Sequence, residues 1–294
     1  MIGQAPALPA GEADQRIRLE QLLGRRPADG YLLRTLGTEL ARIPVDSGDL
    51  LLILPELHYA NNSGHLWGWN DGPLRSAKGN NTLVTLGVAI HVGRVAVQIV
   101  PQFVHEENRR LRVFNYGENQ LPARHPWANP FHPPPQSIDQ PLRYGDAPRS
   151  IIAGQHRIAV DVPLDLRVGL SNENRWWGPG VRNALLLGAT SAGFEHAFIE
   201  TQRPITTAYG DFSGQWILGR LSESEYFDAD RTNDQRALSA LALTWRPPAG
   251  LDALVPEIGI ARAVMRSETP GLGNALDFLS DVGRPYSDSA DATG

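Results

Sequence analysis

A single hairpin pattern at residues 82–105 most constrains what this chain can fold into. Its apolar residues share one parity in both halves, with small or polar residues between them. They are Val84, Leu86, Val88 and Ile90 before the turn, and Val95, Val97 and Ile99 after it. Gly93 and Arg94 between the halves are typical of a tight turn. Because successive side chains of a strand point to opposite faces, the pattern predicts an antiparallel hairpin with one strongly apolar face.

The alternation is compatible with two architectures. In a soluble sandwich the apolar face packs into a core and the other face meets water. In a barrel that crosses a membrane, the apolar face contacts lipid and the small or polar face lines the interior. Periodicity alone does not distinguish the two.

Further strand patterns extend this reading along the chain. Candidate strands cover Asp49–Leu54, Ser213–Ser224, Gln235–Arg246 and Pro256–Arg266, the last two joined by the turn Pro247–Gly250. Helical spacing is confined to Ala13–Leu23 and to a second candidate around Tyr31–Leu40. The sequence therefore predicts an antiparallel all-β fold with short helices near the N-terminus.

Composition excludes several classes of protein. Of 294 residues, 41% are hydrophobic and 20% are charged, which is not a disordered composition. A net charge of −5 argues against a general nucleic-acid binder. The chain has no Cys, so thiol catalysis and thiolate metal sites are excluded. No apolar run is long enough for a transmembrane helix, but a barrel strand needs only about 9–11 residues.

The stretch Ser171–Pro204 predicts a rigid polar and aromatic corner held between strands. It places Asn172, Glu173 and Asn174 before two adjacent indoles, Trp176 and Trp177. Gly178-Pro179-Gly180 follows and can extend neither a helix nor a sheet. A strand-like segment at Asn183–Leu187 and an alternating segment at Phe194–Thr201 complete it.

This corner resembles a motif of the capsule-assembly Wzi family, which are outer-membrane β-barrels that hold capsular polysaccharide at the cell surface. The resemblance lies in NENRWWGPG, NALLL and GFEHAFIETQRP, in that order. Asn70–Asn81, Ile138–Asp146 and Gly219–Phe227 resemble three further elements of the family, and the likeness runs from about Leu19 to Met265. The chain departs from the family in having no signal peptide at its start and no closing set of strands at its end.

The resemblance implies a bacterial outer-membrane protein whose partners are capsular or exopolysaccharide and outer-membrane lipid, with no nucleic acid, no cofactor and no metal. It implies a lectin-like cell-surface role in capsule assembly without catalysis. On this reading, residues 1–48 form a periplasmic-type segment with short helices. Residues 49–294 form a transmembrane β-barrel portion that is incomplete at its C-terminal side, and the seven apolar residues of the hairpin face lipid.

Five residues of the corner are candidates for binding the polysaccharide. They are Trp176, Trp177, Asn174, Arg175 and Glu173. Indoles can stack on the C–H faces of sugar rings while amides and acids bind hydroxyls. The competing interpretation is that one indole packs internally and the other anchors at the membrane interface.

Other chemistries are weaker in this sequence. Glu173 and Glu195 could be paired acids for glycoside hydrolysis, but interior carboxylates of barrels usually pair with Arg, here Arg175 or Arg182. His196 lies on an alternating segment and is expected to form interior hydrogen bonds rather than to bind metal. The basic cluster at 109–112 could meet an anionic polymer, although a solvated loop is favoured. The alternatives left open are a porin-like channel for sugars or small solutes and an extracellular β-sandwich glycoside hydrolase.

Overall fold

The structure, a computed structural model, describes residues 39–64, 68, 70–110, 145, 147–178, 180, 183–223, 234–248, 255–267 and 269–280. Within these residues the chain forms one 13-stranded sheet and almost no helix, which confirms the prediction of an all-β fold. Every strand pairing is antiparallel. The helix predicted at Ala13–Leu23 lies outside the described residues. The end of the second helical candidate, from residue 39, belongs to the first strand.

The elements have the following bounds. The strands are β1 (Glu39–Val45), β2 (Gly48–Asn62), β3 (Gly79–Val92), β4 (Val95–Ile99), β5 (Pro101–Glu106), β6 (Arg149–Gly154), β7 (Arg157–Val162), β8 (Leu166–Ser171), β9 (His196–Thr201), β10 (Ile205–Thr207), β11 (Gly210–Ser222), β12 (Gln235–Arg246) and β13 (Ile258–Arg266). Two short 3-10 turns follow, η1 (Leu272–Asn274) and η2 (Asp277–Leu279). None of the helices in the described part of the chain is long and apolar enough to cross a membrane.

The strands pair in the order β1-β2-β3-β4-β7-β8-β9-β11-β12-β13. Strand β5 also pairs with β3 and carries β6 beside it, and β10 pairs with β11. Within the described residues β1 and β13 do not pair with each other, so the sheet is not closed there. The predicted transmembrane barrel, incomplete at its C-terminal side, therefore remains a prediction.

Most of the predicted strands are present. The hairpin at 82–105 is confirmed, because β3 turns at residues 93–94 and Val92 pairs with Val95. Strand β12 has the predicted bounds, β11 and β13 differ from theirs by a few residues, and β2 extends the predicted segment to Asn62.

Strands β6, β7 and β8 have no counterpart in the sequence prediction. At Gly154–His156 the pairing passes from β5 to β4, and the N–H of Gln155 donates to the carbonyl of Val100 at 2.9 Å. This irregularity interrupts the alternation that would otherwise mark one long strand.

The connections differ in length between the two ends of the sheet. At one end, called the turn end, the chain reverses in two or three residues at 46–47, 93–94 and 163–165. At the same end β9 leads to β11 through β10, and β12 ends at residue 246 before β13 begins at residue 258. At the opposite end, called the loop end, the chain leaves the sheet after residues 62, 106, 171 and 222 and returns to it at residues 79, 149, 196 and 235. The corner at 172–195 therefore belongs to the loop end.

The two faces of the sheet have opposite chemistry. On the face called outer, large apolar side chains are exposed on successive strands, among them Leu86, Val88, Ile90, Val95, Ile99, Ile158, Leu170, Ile199, Leu243 and Ile260. Val84 and Val97 share that face and are half-buried. The hairpin's apolar parity therefore points outward as predicted, while its contact with lipid remains a prediction. The opposite, inner face buries polar residues together with small ones.

Two chain segments from the loop end pack on the inner face. The first inner segment, residues 70–78, places Leu74 against Leu83 and Val104. The second inner segment, residues 172–195, places Trp177 against a cluster that includes Phe198 and Ile217. The two segments touch, since the N–H of Gly72 donates to the carbonyl of Ala189 at 2.8 Å.

Gly169 on β8 offers a test of this packing. A Cβ there would lie 2.2 Å from the carbonyl oxygen of Ile158 and 2.8 Å from the Phe198 ring. We expect Gly169→Ala to lower the free energy of unfolding by about 1–3 kcal/mol, because backbone cannot move aside as a side chain can. Urea unfolding followed by tryptophan fluorescence measures the change.

Gly214 on β11 is the matched control. A Cβ there would meet only the end of the Leu243 side chain within 3 Å, so Gly214→Ala should be close to neutral. Equal effects of the two substitutions would contradict the packing described for Gly169.

Candidate functional site

The second inner segment folds back on itself between β8 and β9. The N–H of Leu185 donates to the carbonyl of Trp177 at 2.7 Å, and Trp177 and Leu186 form an isolated bridge. Gly178 has a φ of 118°, which favours glycine. The strand predicted at Asn183–Leu187 is wrong, because its described residues make only this one bridge. The predicted corner between strands is present.

Trp176 and Trp177 are buried, with 1% and 0% of their surface exposed. The indole N–H of Trp177 donates to Gln215 Oε1 at 2.5 Å, and that of Trp176 donates to the carbonyl of Gly180 at 2.9 Å. Neither ring face is open, so neither indole can stack on a sugar in this conformation. Their predicted place on a polysaccharide-facing surface is corrected: they anchor the segment inside the molecule.

Trp177 is buried against residues of the opposing strands. Ala159, Ala240 and Ala242 face the second inner segment and belong to the cluster around Trp177. Their short side chains leave space between the sheet and the segment, and the indole of Trp177 fills it. The packing of Trp177 is therefore set by residues far from it in sequence.

Asn174 is also buried rather than surface-exposed. Its N–H donates to Gln155 Oε1 at 2.8 Å, and its Oδ1 accepts from Gln155 Nε2 at 2.7 Å. Its own Nδ2 donates to the carbonyls of Gly188 at 3.1 Å and Ser191 at 2.8 Å. Asn174 thus joins the two ends of the segment to β6 and β7, which explains why an amide occupies this position.

Arg175 is the centre of a buried ion cluster and is 1% exposed. Its Nη1 lies 3.2 Å from Glu200 Oε2 and 3.3 Å from Glu173 Oε1. Arg157 on β7 binds the other oxygen of Glu200 and lies 3.6 Å from Glu173. Two guanidinium groups therefore face two carboxylates, and their charges balance. Such pairing is what makes a buried charge tolerable.

Phe198 lies beneath both cations of this cluster. The guanidinium carbons of Arg157 and Arg175 are 4.6 and 4.7 Å from its ring centroid, within cation–π range. The absence of a side chain at Gly169 leaves room for the ring. The cluster is therefore supported from the sheet by an aromatic platform.

His196 takes part as a neutral imidazole. Its Nδ1 lies 2.7 Å from the carbonyl oxygen of Phe194, which can only accept, so Nδ1 carries the proton. Its Nε2 then accepts from Arg175 Nε at 2.9 Å. The prediction of an interior hydrogen-bonding histidine is confirmed. In the described part of the chain, no group of three or more His, Cys, Asp or Glu side chains is placed to hold a metal ion.

The two carboxylates considered for hydrolysis do not face one another. Glu173 lies in the buried cluster, whereas Glu195 points outward and pairs with Arg220 at 2.5 Å, both largely exposed. The expected pairing of an interior carboxylate with Arg175 is confirmed for Glu173. Arg182 lies outside the described residues.

A second buried ion cluster was not predicted. Glu106 at the loop end of β5 has no exposed surface and lies 3.1 Å from Arg75 and 2.8 Å from Arg149. The N–H of Arg75 also donates to Glu106 at 2.5 Å. This cluster attaches the first inner segment, as the cluster of Arg175 attaches the second.

Among the basic residues after β5, Arg109 is engaged locally. Arg109 pairs with Glu107, and the N–H of Asn80 donates to Glu107 at 2.9 Å. These contacts, the backbone N–H first, hold the pKa of Glu107 below its ordinary value. Arg110 has an exposed side chain. Arg112, the last member of the predicted cluster, lies outside the described residues.

Sequence reasoning missed Arg157, Gln155, Gln215 and Glu200. Glu200 could have been found, because it shares the parity of His196 on a segment already predicted to alternate. Gln215 likewise falls on the inward parity of the predicted strand at 213–224. Arg157 and Gln155 lie where the sequence predicts no strand, so the direction of their side chains could not be predicted.

In comparisons with known proteins, no family model, no curated protein and no solved structure matches this chain.

The buried cluster predicts a large cost for losing one charge. We expect Arg175→Met to lower the free energy of unfolding by about 3–5 kcal/mol, because it leaves Glu173 and Glu200 sharing one guanidinium. Arg220→Met removes an arginine from an exposed pair and should cost about 0–1 kcal/mol. The measurement is equilibrium urea unfolding of both variants in one detergent. A cost for Arg175→Met no larger than that for Arg220→Met would show that the cluster does not stabilise the fold.

Proposed function

We propose that this protein is a bacterial outer-membrane protein of the capsule-assembly type. It crosses the membrane with β-strands and binds capsular or exopolysaccharide at the cell surface without catalysing a reaction. One observation carries the membrane part of the proposal: apolar side chains cover the exposed face of the sheet, while ion pairs and amides fill the buried face. A soluble sheet has the opposite arrangement.

The outer face changes chemistry at a defined level. Four neighbouring strands align Leu57, Val84, Phe103 and Ile152 in one row. Two residues nearer the loop end, the next row of side chains on the outer face consists of Tyr59, Thr82, His105 and Ser150. In that row His105 Nδ1 lies 2.8 Å from Ser150 Oγ, and Tyr59 donates to Asn80 at 2.6 Å. An apolar band that ends in a row containing tyrosine is typical of a membrane boundary.

The level of this boundary shifts across the sheet. On β3 the outward apolar residues extend to Val84, whereas on β11 they extend to Leu218, beyond which Arg220 is polar. Through the pairings, Leu218 aligns with Ile90 of β3, six residues (84 to 90) nearer the turn end. The boundary therefore moves along the strands by six residues of about 3.4 Å each while it crosses five spacings of about 4.8 Å between strands. If the boundary is parallel to the membrane, the strands tilt by about 40° from the membrane normal. Membrane barrels tilt their strands by about 35–45°.

The lengths of the connections supply the orientation. Outer-membrane barrels have short turns on the periplasmic side and longer loops on the extracellular side. The same assignment places the loop end of this sheet outside the cell, together with the chain segments that join its strands there. A polymer at the cell surface meets that end.

The polysaccharide part of the proposal rests on the sequence resemblance to the Wzi family and on this orientation. The two inner segments occupy the inner face near the loop end, where a porin-like channel needs an open path. This arrangement favours binding at the surface over passage of solutes. Affinity for a polymer comes from many weak contacts, so no deep pocket is required.

Lipid contact predicts a depth-dependent cost for charge. We expect Val88→Lys to cost about 2–4 kcal/mol if Val88 lies near the bilayer midplane, and Thr82→Lys, at the boundary row, to cost about 0–1 kcal/mol. The measurement is equilibrium folding into lipid vesicles. Equal and small effects at both positions would remove the support for a membrane band.

Attachment of polymer is tested in the producing bacterium. We expect deletion of the gene to leave total polysaccharide unchanged while cell-attached polymer falls and released polymer rises. Liposome swelling with the purified protein should show no flux of sugars, and the polymer should gain no new reducing ends. Unchanged attachment after deletion would overturn the proposed role, whereas flux or cleavage would favour the channel or the hydrolase.

A further inference from the structure

Residues 269–280, called the strap, follow β13 and lie on the outer face of the sheet. The position is fixed by Ser239, whose Oγ donates to the carbonyl of Ala275 at 3.2 Å. Its neighbour Ala240 packs on the inner side in the cluster around Trp177. Because adjacent residues of a strand point to opposite faces, Ser239 and the strap are on the outer face. The indole N–H of Trp216 reaches the same carbonyl at 2.7 Å.

Beneath the strap the sheet's outer face carries polar and charged side chains among apolar ones. Arg262 and Arg266 of β13 share that parity with Ser239 of β12, through the pairings of Arg262 with Leu241 and Arg266 with Ala237. By register, Arg262 aligns with Leu241 and Trp216, and on the strands beyond with Ile199. The row that is apolar elsewhere thus becomes charged at β13. Direct contact of these arginine side chains with lipid acyl chains is energetically unfavourable.

The strap turns polar groups toward this patch. Arg266 Nε lies 3.0 Å from Asp277 Oδ2, and its Nη2 donates to Ser280 Oγ at 3.1 Å. Arg262 donates to the carbonyl of Ser280 at 2.5 Å. Asn274 donates to the same carboxylate of Asp277 at 3.0 Å. Both arginines on this part of the outer face are therefore engaged by the strap.

The strap turns leucines away from the sheet. Leu272, Leu276 and Leu279 are 91%, 63% and 57% exposed. A peptide with polar groups on one side and leucines on the other is suited to the boundary between headgroups and acyl chains. The outward apolar surface is also continuous with the strap, since Ile158, Leu170 and Leu218 line a groove of about 770 Å³ that Thr269 and Pro270 border.

We propose that the strap is a lipid-contacting element. It covers the polar outer face of β12 and β13 and presents Leu272, Leu276 and Leu279 to the acyl chains at the extracellular side of the bilayer. The inference rests on the proposed membrane function, and it adds that the lipid-facing surface includes a non-strand segment. The proposed partner of the strap is the acyl chains of membrane lipids.

The chain has no cysteine, so single-cysteine variants report on one site each. Three exposed positions are compared: Leu276→Cys on the strap, Val88→Cys on the apolar band and Tyr209→Cys at the turn end. Each variant is labelled with bimane and reconstituted in phosphatidylcholine vesicles whose acyl chains carry bromine. We expect quenching of the Leu276 probe comparable to that of the Val88 probe and several-fold greater than that of the Tyr209 probe.

The outcomes separate the two proposals. Quenching at Val88 without quenching at Leu276 overturns the strap inference and leaves the membrane function standing. Absence of quenching at Val88 overturns the membrane function itself, and the strap inference with it. If the Leu276 probe resists both brominated lipid and aqueous iodide, a protein surface covers the strap and the inference is wrong.

A second variant tests why the strap lies where it does. Arg266→Met removes the salt bridge to Asp277 and the hydrogen bond to Ser280 without changing the leucines. In this background the Leu276 probe should become more accessible to aqueous iodide, while the Val88 probe stays unchanged. Unchanged iodide access at Leu276 would show that the ion pair does not hold the strap on the sheet.

Discussion

The charge balance around Glu200 is the constraint on which the interior depends. Arg157 comes from β7, Glu200 from β9 and Arg175 from the second inner segment, and the ring of Phe198 supports both cations. Arg157 and Arg175 each contact both Glu200 on the sheet and Glu173 on the segment, so the ion pairs are shared between sheet and segment. Docking of the segment therefore completes the cluster on the inner face. Strand pairing and loop placement are thus coupled through one set of ion pairs.

The same alternation of side chains produces both surfaces of the sheet. Within the apolar band, outward positions carry mainly branched apolar residues, and inward positions carry amides, charges and alanines together with a few large apolar residues such as Phe198 and Ile217. Alanines on β7 and β12 leave depth for Trp177, and Gln215 provides the acceptor for its N–H. At β13 the outward pattern changes to arginine, and there the chain returns as the strap. The apolar surface is thus maintained by the strands where they are apolar and by an added segment where they are not.

The strands could largely be predicted, and the roles of the site residues could not. The hairpin at 82–105 and the strands at 213–224 and 235–246 follow from local alternation, which the sequence displays directly. The sequence predicts a binding surface for Trp176 and Trp177, but an indole suits stacking on a sugar and packing in a core equally well. Trp177 packs against Ala159 and Ala240, and Glu200, a partner of Arg175, lies on β9, so the deciding contacts are non-local. The resemblance to the Wzi family remains a proposal, because no comparison tests it.

An energetic argument bears on binding versus passage. For solutes to move along the inner face, the second inner segment has to leave it. This movement breaks the charged hydrogen bond between Arg175 and Glu200, at a cost of about 1.5–3 kcal/mol. It also exposes the indole of Trp177, whose buried area of about 150–250 Å² corresponds to about 4–6 kcal/mol at about 25 cal/mol per Å². A total of about 5.5–9 kcal/mol corresponds to an open fraction of about 10⁻⁴ to 10⁻⁷. A protein that binds a polymer at the cell surface does not need the segment to leave the inner face. The energetics therefore favour attachment of polymer over transport of solutes.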